Sequence, residues 1–331
     1  MIIKLLLWVL QLAFIAGTAT HASSTTTDLI HNQVERLRSE QGPQIDGATI
    51  AATSLLANFY EHRGFRLAWF DRERIDDLLV WVNDAYDHGL DPNDYHLSRI
   101  QTLLDGGHLD KLTPRQRVAL DFLLTDSLAR LAYHSHFGKV DPASLDPNWN
   151  FERRSMTEHP VDDLEAAITS GSLEQFLSAL LPEPYFYVWL RKGLARHRQI
   201  AADGGWPILP SGATLTLGTV DARVKLLRER LRSSGDLTGL QPEDSQHFDE
   251  ELRKAVVAFQ ARHGLDTDGA VGAKTLRAMN VPVKRRIDQI RVNLERMRWV
   301  YQNLPDDYLL VQFRLSSSIV RPPAACPGRS T

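Results

Sequence analysis

The order of apolar and polar residues along the chain predicts helices. Between residues 50 and 202, apolar side chains recur at intervals of three and four, which places them on one face of a helix. The stripes end at residues that favour turns, such as Gly64 and Gly89. Alternation of apolar and polar positions, which would indicate a strand, does not extend over a useful length in this region. We therefore expect an all-helical domain and assign it to residues 48–210.

One helix of this region is predicted to be central to the core. Thr113 and Pro114 are typical of a helix start, because threonine caps the first turn and proline fits within it. The residues that follow, 117–137, are apolar on most sides of a helix. Such a helix is buried on all sides instead of lying on a surface.

A second helical pattern occupies residues 248–280. Gly264 is expected to end a first helix, Asp268 and Gly269 form a turn, and Gly272 opens a second helix. Four apolar residues at i, i+3, i+4 and i+7 predict the buried face of the first helix: Leu252, Ala255, Val256 and Phe259.

This stretch contains the pattern FD..L..AV..FQ...GL..DG.VG..T, which resembles the peptidoglycan-binding module, a small three-helix domain appended to many cell-wall enzymes. We assign residues 215–282 to the module, and the resemblance implies peptidoglycan, its stem peptides and glycan, as the partner. The same candidate residues also suit turns and helix caps, so a structural role is the alternative for each. The candidate substrate-binding residues are the polar groups near the turn: Gln260, Arg262, Asp268 and Thr275.

Longer runs in the chain carry a second resemblance. They are RGFRLAWFD, DHGLDPNDYHL, LTDSLARLAYHSHFGKVDP, LDPNWNF and GGWPILPSG. Together they resemble the N-terminal scaffold domain of the large periplasmic L,D-transpeptidases of Gram-negative bacteria, over residues 51–311. In that family the scaffold is followed by a peptidoglycan-binding module and then by a cysteine-dependent transpeptidase domain.

The start of the chain predicts export. Lys4 precedes a short apolar run, and small residues flank His21 before residue 23, as in a cleavable secretory signal over residues 1–22. A retained membrane anchor is the alternative, although the apolar run falls short of the ~20 residues that span a bilayer. Residues 23–47 are polar and are expected to be a flexible segment. With the family resemblance, this predicts a periplasmic protein.

Residues 283–302 predict an amphipathic linker helix, which the family also has, with NLERMRW, ahead of its catalytic domain. With no catalytic sheet to cover it, its apolar stripe would be an exposed patch that could engage proteins of wall synthesis. The stripe consists of Ile287, Ile290, Leu294 and Met297.

Residues 303–331 depart from the family. The segment begins like the first strand of the catalytic sheet, but the match ends at Val311, and no Ser-His-Gly-Cys-type active site follows. We expect a truncated or aberrant tail, with the β catalytic domain of the family absent and no transpeptidase activity. The single cysteine, Cys326, has no histidine downstream of His263 to activate it and is not expected to be catalytic.

Composition changes this interpretation little. A formal net charge of -3 gives no basic field for nucleic acid. His134 and His136 could contribute to zinc, and a zinc-dependent peptidoglycan amidase or peptidase is the alternative enzyme, but zinc needs at least three protein ligands. We therefore predict no catalytic residue, no metal and no cofactor. The fold is expected to be mostly α, with a helical scaffold and a three-helix peptidoglycan-binding domain.

Overall fold

The computed structural model describes residues 25–105, 108–149, 156–171, 173–182, 184–239 and 246–301. The predicted signal sequence, the tail from residue 303 and Cys326 lie outside these residues. Within them, no helix combines the length and the apolar character needed to cross a membrane.

The described residues are mostly helical, as predicted. The N-terminal helices are α1 (Thr26–Ser39), α2 (Thr53–His62), α3 (Arg72–Asp84), α4 (Leu97–Leu104), α5 (Pro114–Phe137), α6 (Pro160–Thr169), α7 (Leu173–Ser178) and α8 (Tyr185–Ala202). The C-terminal helices are α9 (Arg223–Ser234), α10 (Glu250–Arg262), α11 (Ala273–Met279) and α12 (Val283–Tyr301). Short 3-10 turns cover Pro92–Tyr95, Leu109–Lys111 and Pro142–Ser144. Strands β1 (Gln44–Ile45) and β2 (Ala48–Thr49) pair antiparallel, with Gln44 opposite Thr49.

Helix α5 is the centre of the N-terminal core, which confirms the prediction made from its sequence. Its Thr113 cap forms a capping box with Gln116, and almost every residue from Leu120 to Ala132 is buried. The buried Asp121 carboxylate accepts hydrogen bonds from the Tyr60 hydroxyl at 2.7 Å and the Trp69 N–H at 2.9 Å. These bonds attach α2 and the loop after it to α5, and burial raises the pKa of Asp121.

The prediction of a flexible segment over residues 23–47 is wrong for the part that the structure describes. Thr25 and Asp28 form a capping box that starts α1. Ile30, Val34 and Leu37 lie on one face of α1 and are buried in the N-terminal core. These three apolar residues lie at i, i+4 and i+7, and their burial is what packs this otherwise polar helix against the core.

Helices α9, α10 and α11 surround a separate small core. The four residues of the predicted α10 stripe are all buried there, together with Phe248 and Met279. A main-chain bridge pairs Leu215 with Val271 and joins the segment before α9 to the start of α11. The turn between α10 and α11 begins at Gly264, whose φ of 65° is the left-handed conformation that glycine adopts without strain.

Helix α12 is packed against the scaffold, and this corrects the expectation of an exposed apolar patch. Leu294 is fully buried with Tyr187 and Leu194 of α8, and the other three stripe residues lie against the same cluster. Arg298 of α12 is also buried and donates to the Tyr187 hydroxyl at 3.1 Å and to the His88 carbonyl. The surface through which a wall-synthesis protein would have bound is therefore covered by α8.

Candidate functional site

The turn between α10 and α11 is organised around one buried side chain, Gln260, which is only 1% exposed. The two hydrogens of its Nε2 group are shared among three acceptors: Asp268 Oδ1 at 2.7 Å, the Ala270 carbonyl at 2.9 Å and Thr275 Oγ1 at 3.1 Å. Its Oε1 accepts from the Gly269 N–H at 2.9 Å. Because the Gln260 side chain of α10 is bonded to the turn and to Thr275 of α11, it holds the turn in one conformation.

Asp268 lies above Gln260 and is exposed. Its Oδ1 accepts from the Ala270 N–H at 2.9 Å as well as from Gln260. The Ala270 N–H and then the Gln260 amide lower the pKa of Asp268, so it is ionised near neutral pH. It is therefore a fixed negative charge at the surface of the turn.

A hollow of about 320 Å³ lies beside Asp268, and we call it the turn hollow. Thr214 and Lys274 are exposed at its edge, while Leu265 and Ala270 give it apolar surface. This mixture of a carboxylate, an ammonium, a hydroxyl and apolar surface offers hydrogen-bonding groups for the amides and hydroxyls of a ligand.

The structure brings three of the four predicted site residues together and separates the fourth. Gln260 bonds to both Asp268 and Thr275, and these two residues line the turn hollow, although Thr275 is only 5% exposed. Arg262 instead pairs with Asp236 of the segment after α9, Nη2 to Oδ2 at 2.6 Å, and lines a different cleft. A direct substrate contact by any of the four stays a prediction.

Sequence reasoning missed Thr214 and Lys274. Thr214 reaches the turn hollow because the adjacent Leu215 is paired with Val271 across the module. That pairing is long-range and has no signature in the local sequence. Lys274 follows Gly272 at the start of α11, where its ammonium lies 3.8 Å from Asp266.

The histidine pair considered for zinc lies in the last turn of α5. His134 Nδ1 is 3.1 Å from the Tyr95 hydroxyl, and burial lowers the pKa of His134 to about 4. Burial also lowers the pKa of His136. In the part of the chain that the structure describes, no three histidine, cysteine, aspartate or glutamate side chains are placed to hold a metal ion. Nothing in this arrangement favours a zinc enzyme.

Comparison with known families identifies two domains. Residues 54–194 match a family described as a scaffold domain. Residues 220–279 match a family described as a putative peptidoglycan binding domain, and this range contains α9, the turn and α11. No curated protein matches the chain. The chain thus combines a scaffold domain with a peptidoglycan-binding domain, which is consistent with a wall-associated protein.

Proposed function

We propose that this protein is a periplasmic, peptidoglycan-binding scaffold related to the large L,D-transpeptidases, and that the turn hollow contacts the wall. The observation that carries the proposal is the match of residues 220–279 to a putative peptidoglycan binding domain, whose described residues form a buried core and an ordered turn between α10 and α11. The relation to the transpeptidases rests on the sequence resemblance of the scaffold runs. The proposal assigns binding, and no reaction, to residues 25–301.

The attachment of the module to the scaffold supports a scaffolding role. The Asn280 side chain, just after α11, exchanges two hydrogen bonds with the main chain of Leu209, each at 2.9 Å. The Trp206 indole donates to the Val281 carbonyl at 3.1 Å. The module is therefore tied to the segment that enters it and, through α12, to α8. A wall fragment bound by the module would be held in a fixed position relative to the scaffold.

The proposal is tested by sedimentation of the full chain with purified peptidoglycan. The variant Thr214→Ala/Lys274→Ala removes two exposed polar groups of the turn hollow without touching the core. We expect it to weaken binding about tenfold, since two exposed hydrogen-bonding groups together contribute roughly 1–3 kcal/mol. Lys254→Ala, an exposed lysine of the same module outside the hollow, is the matched control and should bind like the parent.

Two results would contradict the proposal at different levels. If the full chain does not sediment with peptidoglycan, the proposed function is wrong. If the parent binds and the double variant binds equally well, the function stands but the turn hollow is not the contact surface.

A further inference from the structure

A cleft of about 440 Å³ lies where the scaffold, α12 and the peptidoglycan-binding module meet. Four arginines line it, each from a different helix, and no aspartate or glutamate is among its described lining residues. We call it the arginine cleft. The arginines are Arg196 of α8, Arg230 of α9, Arg262 of α10 and Arg286 of α12. Asp236 pairs with Arg262, so three of the four positive charges have no carboxylate in ion-pair contact among the described residues.

Arg230 is the most unusual of the four because it is only 1% exposed. Its Nε donates to the Met279 carbonyl at 2.8 Å, and its guanidinium carbon lies 3.9 Å from the centre of the Trp206 ring. Its Nη1 is buried and makes no hydrogen bond to any described residue. Burial lowers the pKa of Arg230 to about 10, which still leaves it charged near neutral pH. Burying a charged group with an unbonded N–H costs folding free energy unless an anion accepts a hydrogen bond from that N–H.

The arginines nearer the opening are held in place by main-chain carbonyls. Arg196 Nη2 donates to the Ser234 carbonyl at the end of α9. Arg286 Nη2 donates to the Ala278 carbonyl in the last turn of α11, at 3.2 Å. A carbonyl orients a guanidinium without neutralising it. The cleft therefore presents oriented positive charge, which is the arrangement that binds an oxyanion.

Two neutral histidines add hydrogen-bond acceptors to the lining of the arginine cleft. Burial lowers the pKa of His197 and lowers that of His263 to about 4, so both are uncharged near neutral pH. Their Nδ1 atoms lie 2.7 Å from the Gly193 carbonyl and 2.8 Å from the Phe259 carbonyl. A carbonyl can only accept, so Nδ1 carries the proton and Nε2 is left as an acceptor. An N–H group of a ligand can donate to these acceptors, whereas the unprotonated oxygens of a phosphate cannot.

We propose that the arginine cleft binds the carboxylate of a peptide, with Arg230 at its base, Arg196 and Arg286 nearer the opening, and the histidines accepting from adjacent amides. Ile200 and Ile290 supply apolar surface for the peptide's aliphatic parts. This proposal rests on the proposed function, because the carboxylate-bearing peptides of the wall are its stem peptides. It specifies that the cleft recognises the peptide of peptidoglycan instead of its sugars.

The test titrates the full chain with the disaccharide-tetrapeptide that a muramidase releases from peptidoglycan, and with the same compound after amidation of its carboxylates. Arg196→Gln and Arg286→Gln remove charge from side chains that are exposed or half-buried, so the fold should persist. We expect each to weaken binding about tenfold, the effect of losing one charge-assisted hydrogen bond. Amidation should have at least the same effect on the parent. Arg277→Gln, an exposed arginine of α11 outside the cleft, is the matched control and should change nothing.

Inorganic pyrophosphate distinguishes a peptide carboxylate from phosphate. If pyrophosphate competes as strongly as the tetrapeptide compound and amidation has no effect, the cleft binds phosphate and the proposal is overturned. Equal binding by both glutamine variants and the parent would also overturn it. In either case sedimentation with intact peptidoglycan reports separately on the proposed function, which fails only if the parent does not sediment.

Discussion

Replacing Gln260 by leucine tests whether this residue maintains the turn or touches the wall. The side chain is buried and serves four groups of the turn, of which the Gly269 N–H is itself buried. Leucine has a similar size but leaves the Gly269 N–H without an acceptor, at a cost of about 1–3 kcal/mol. The lost bonds to Ala270 and Thr275 raise the total to about 2–4 kcal/mol. For a domain of this size that corresponds to a fall in melting temperature of roughly 10–25 °C.

The assay combines urea denaturation with hydrogen exchange. We expect Gln260→Leu to unfold the module at lower urea concentration and to speed exchange at Gly269 and Ala270, whose N–H groups are bonded within the turn. Binding to peptidoglycan should fall only as far as the turn loses its structure. Lys254→Leu changes an exposed position of the same helix and should shift stability by less than about 0.5 kcal/mol. A Gln260→Leu protein that is as stable as the parent yet no longer binds would refute the structural role.

Two further predictions concern the whole chain. Burial lowers the pKa of His88 to about 3 and those of His134 and His263 to about 4, against about 6.5 in an unfolded chain. Between these pKa values the unfolded state binds more protons than the folded state, so the free energy of unfolding should be greatest above about pH 6.5 and should fall toward pH 4. Urea midpoints measured across this pH range test the prediction, and the pH dependence should be weaker in His263→Asn. A parent protein whose urea midpoint does not change with pH would contradict it. Leu294→Ala should lower the free energy of unfolding by about 2–5 kcal/mol, because it leaves a cavity between α12 and α8. Val292→Ala, on the exposed side of α12, should lower it by less than about 0.5 kcal/mol. Equal urea midpoints for the two variants would show that α12 is not packed as described.

The parts of the fold that could be predicted are those that local periodicity determines. The α10 stripe and the apolar surface of α5 are visible in the sequence because the residues that share a face recur every three or four positions. Helix α1 has the same signal in Ile30, Val34 and Leu37, but its polar neighbours led to the expectation of a flexible segment. There the burial of three residues outweighs the composition of the whole segment.

The site was harder to predict because it depends on burial and on distant pairing. Gln260 lies among apolar neighbours in α10. The local sequence does not show that its side-chain amide is buried and hydrogen-bonded to Asp268 and Gly269 of the turn. The arginine cleft draws on α8, α9, α10 and α12, which are brought together only by tertiary packing. No local spacing relates Arg196 to Arg286.

The geometry of α10 separates the two surfaces that we propose as binding sites. Gln260 and Arg262 are two positions apart, and side chains at i and i+2 point to different sides of a helix, about 200° apart. Gln260 supports the turn hollow, while Arg262 lines the arginine cleft. A helix with its side chains is about 10–12 Å across, so a fragment shorter than this cannot contact both surfaces. A continuous wall polymer can, and joining two weak contacts in one polymer strengthens binding without any new contact. If both proposed surfaces bind, we expect the chain to bind intact peptidoglycan more tightly than isolated fragments.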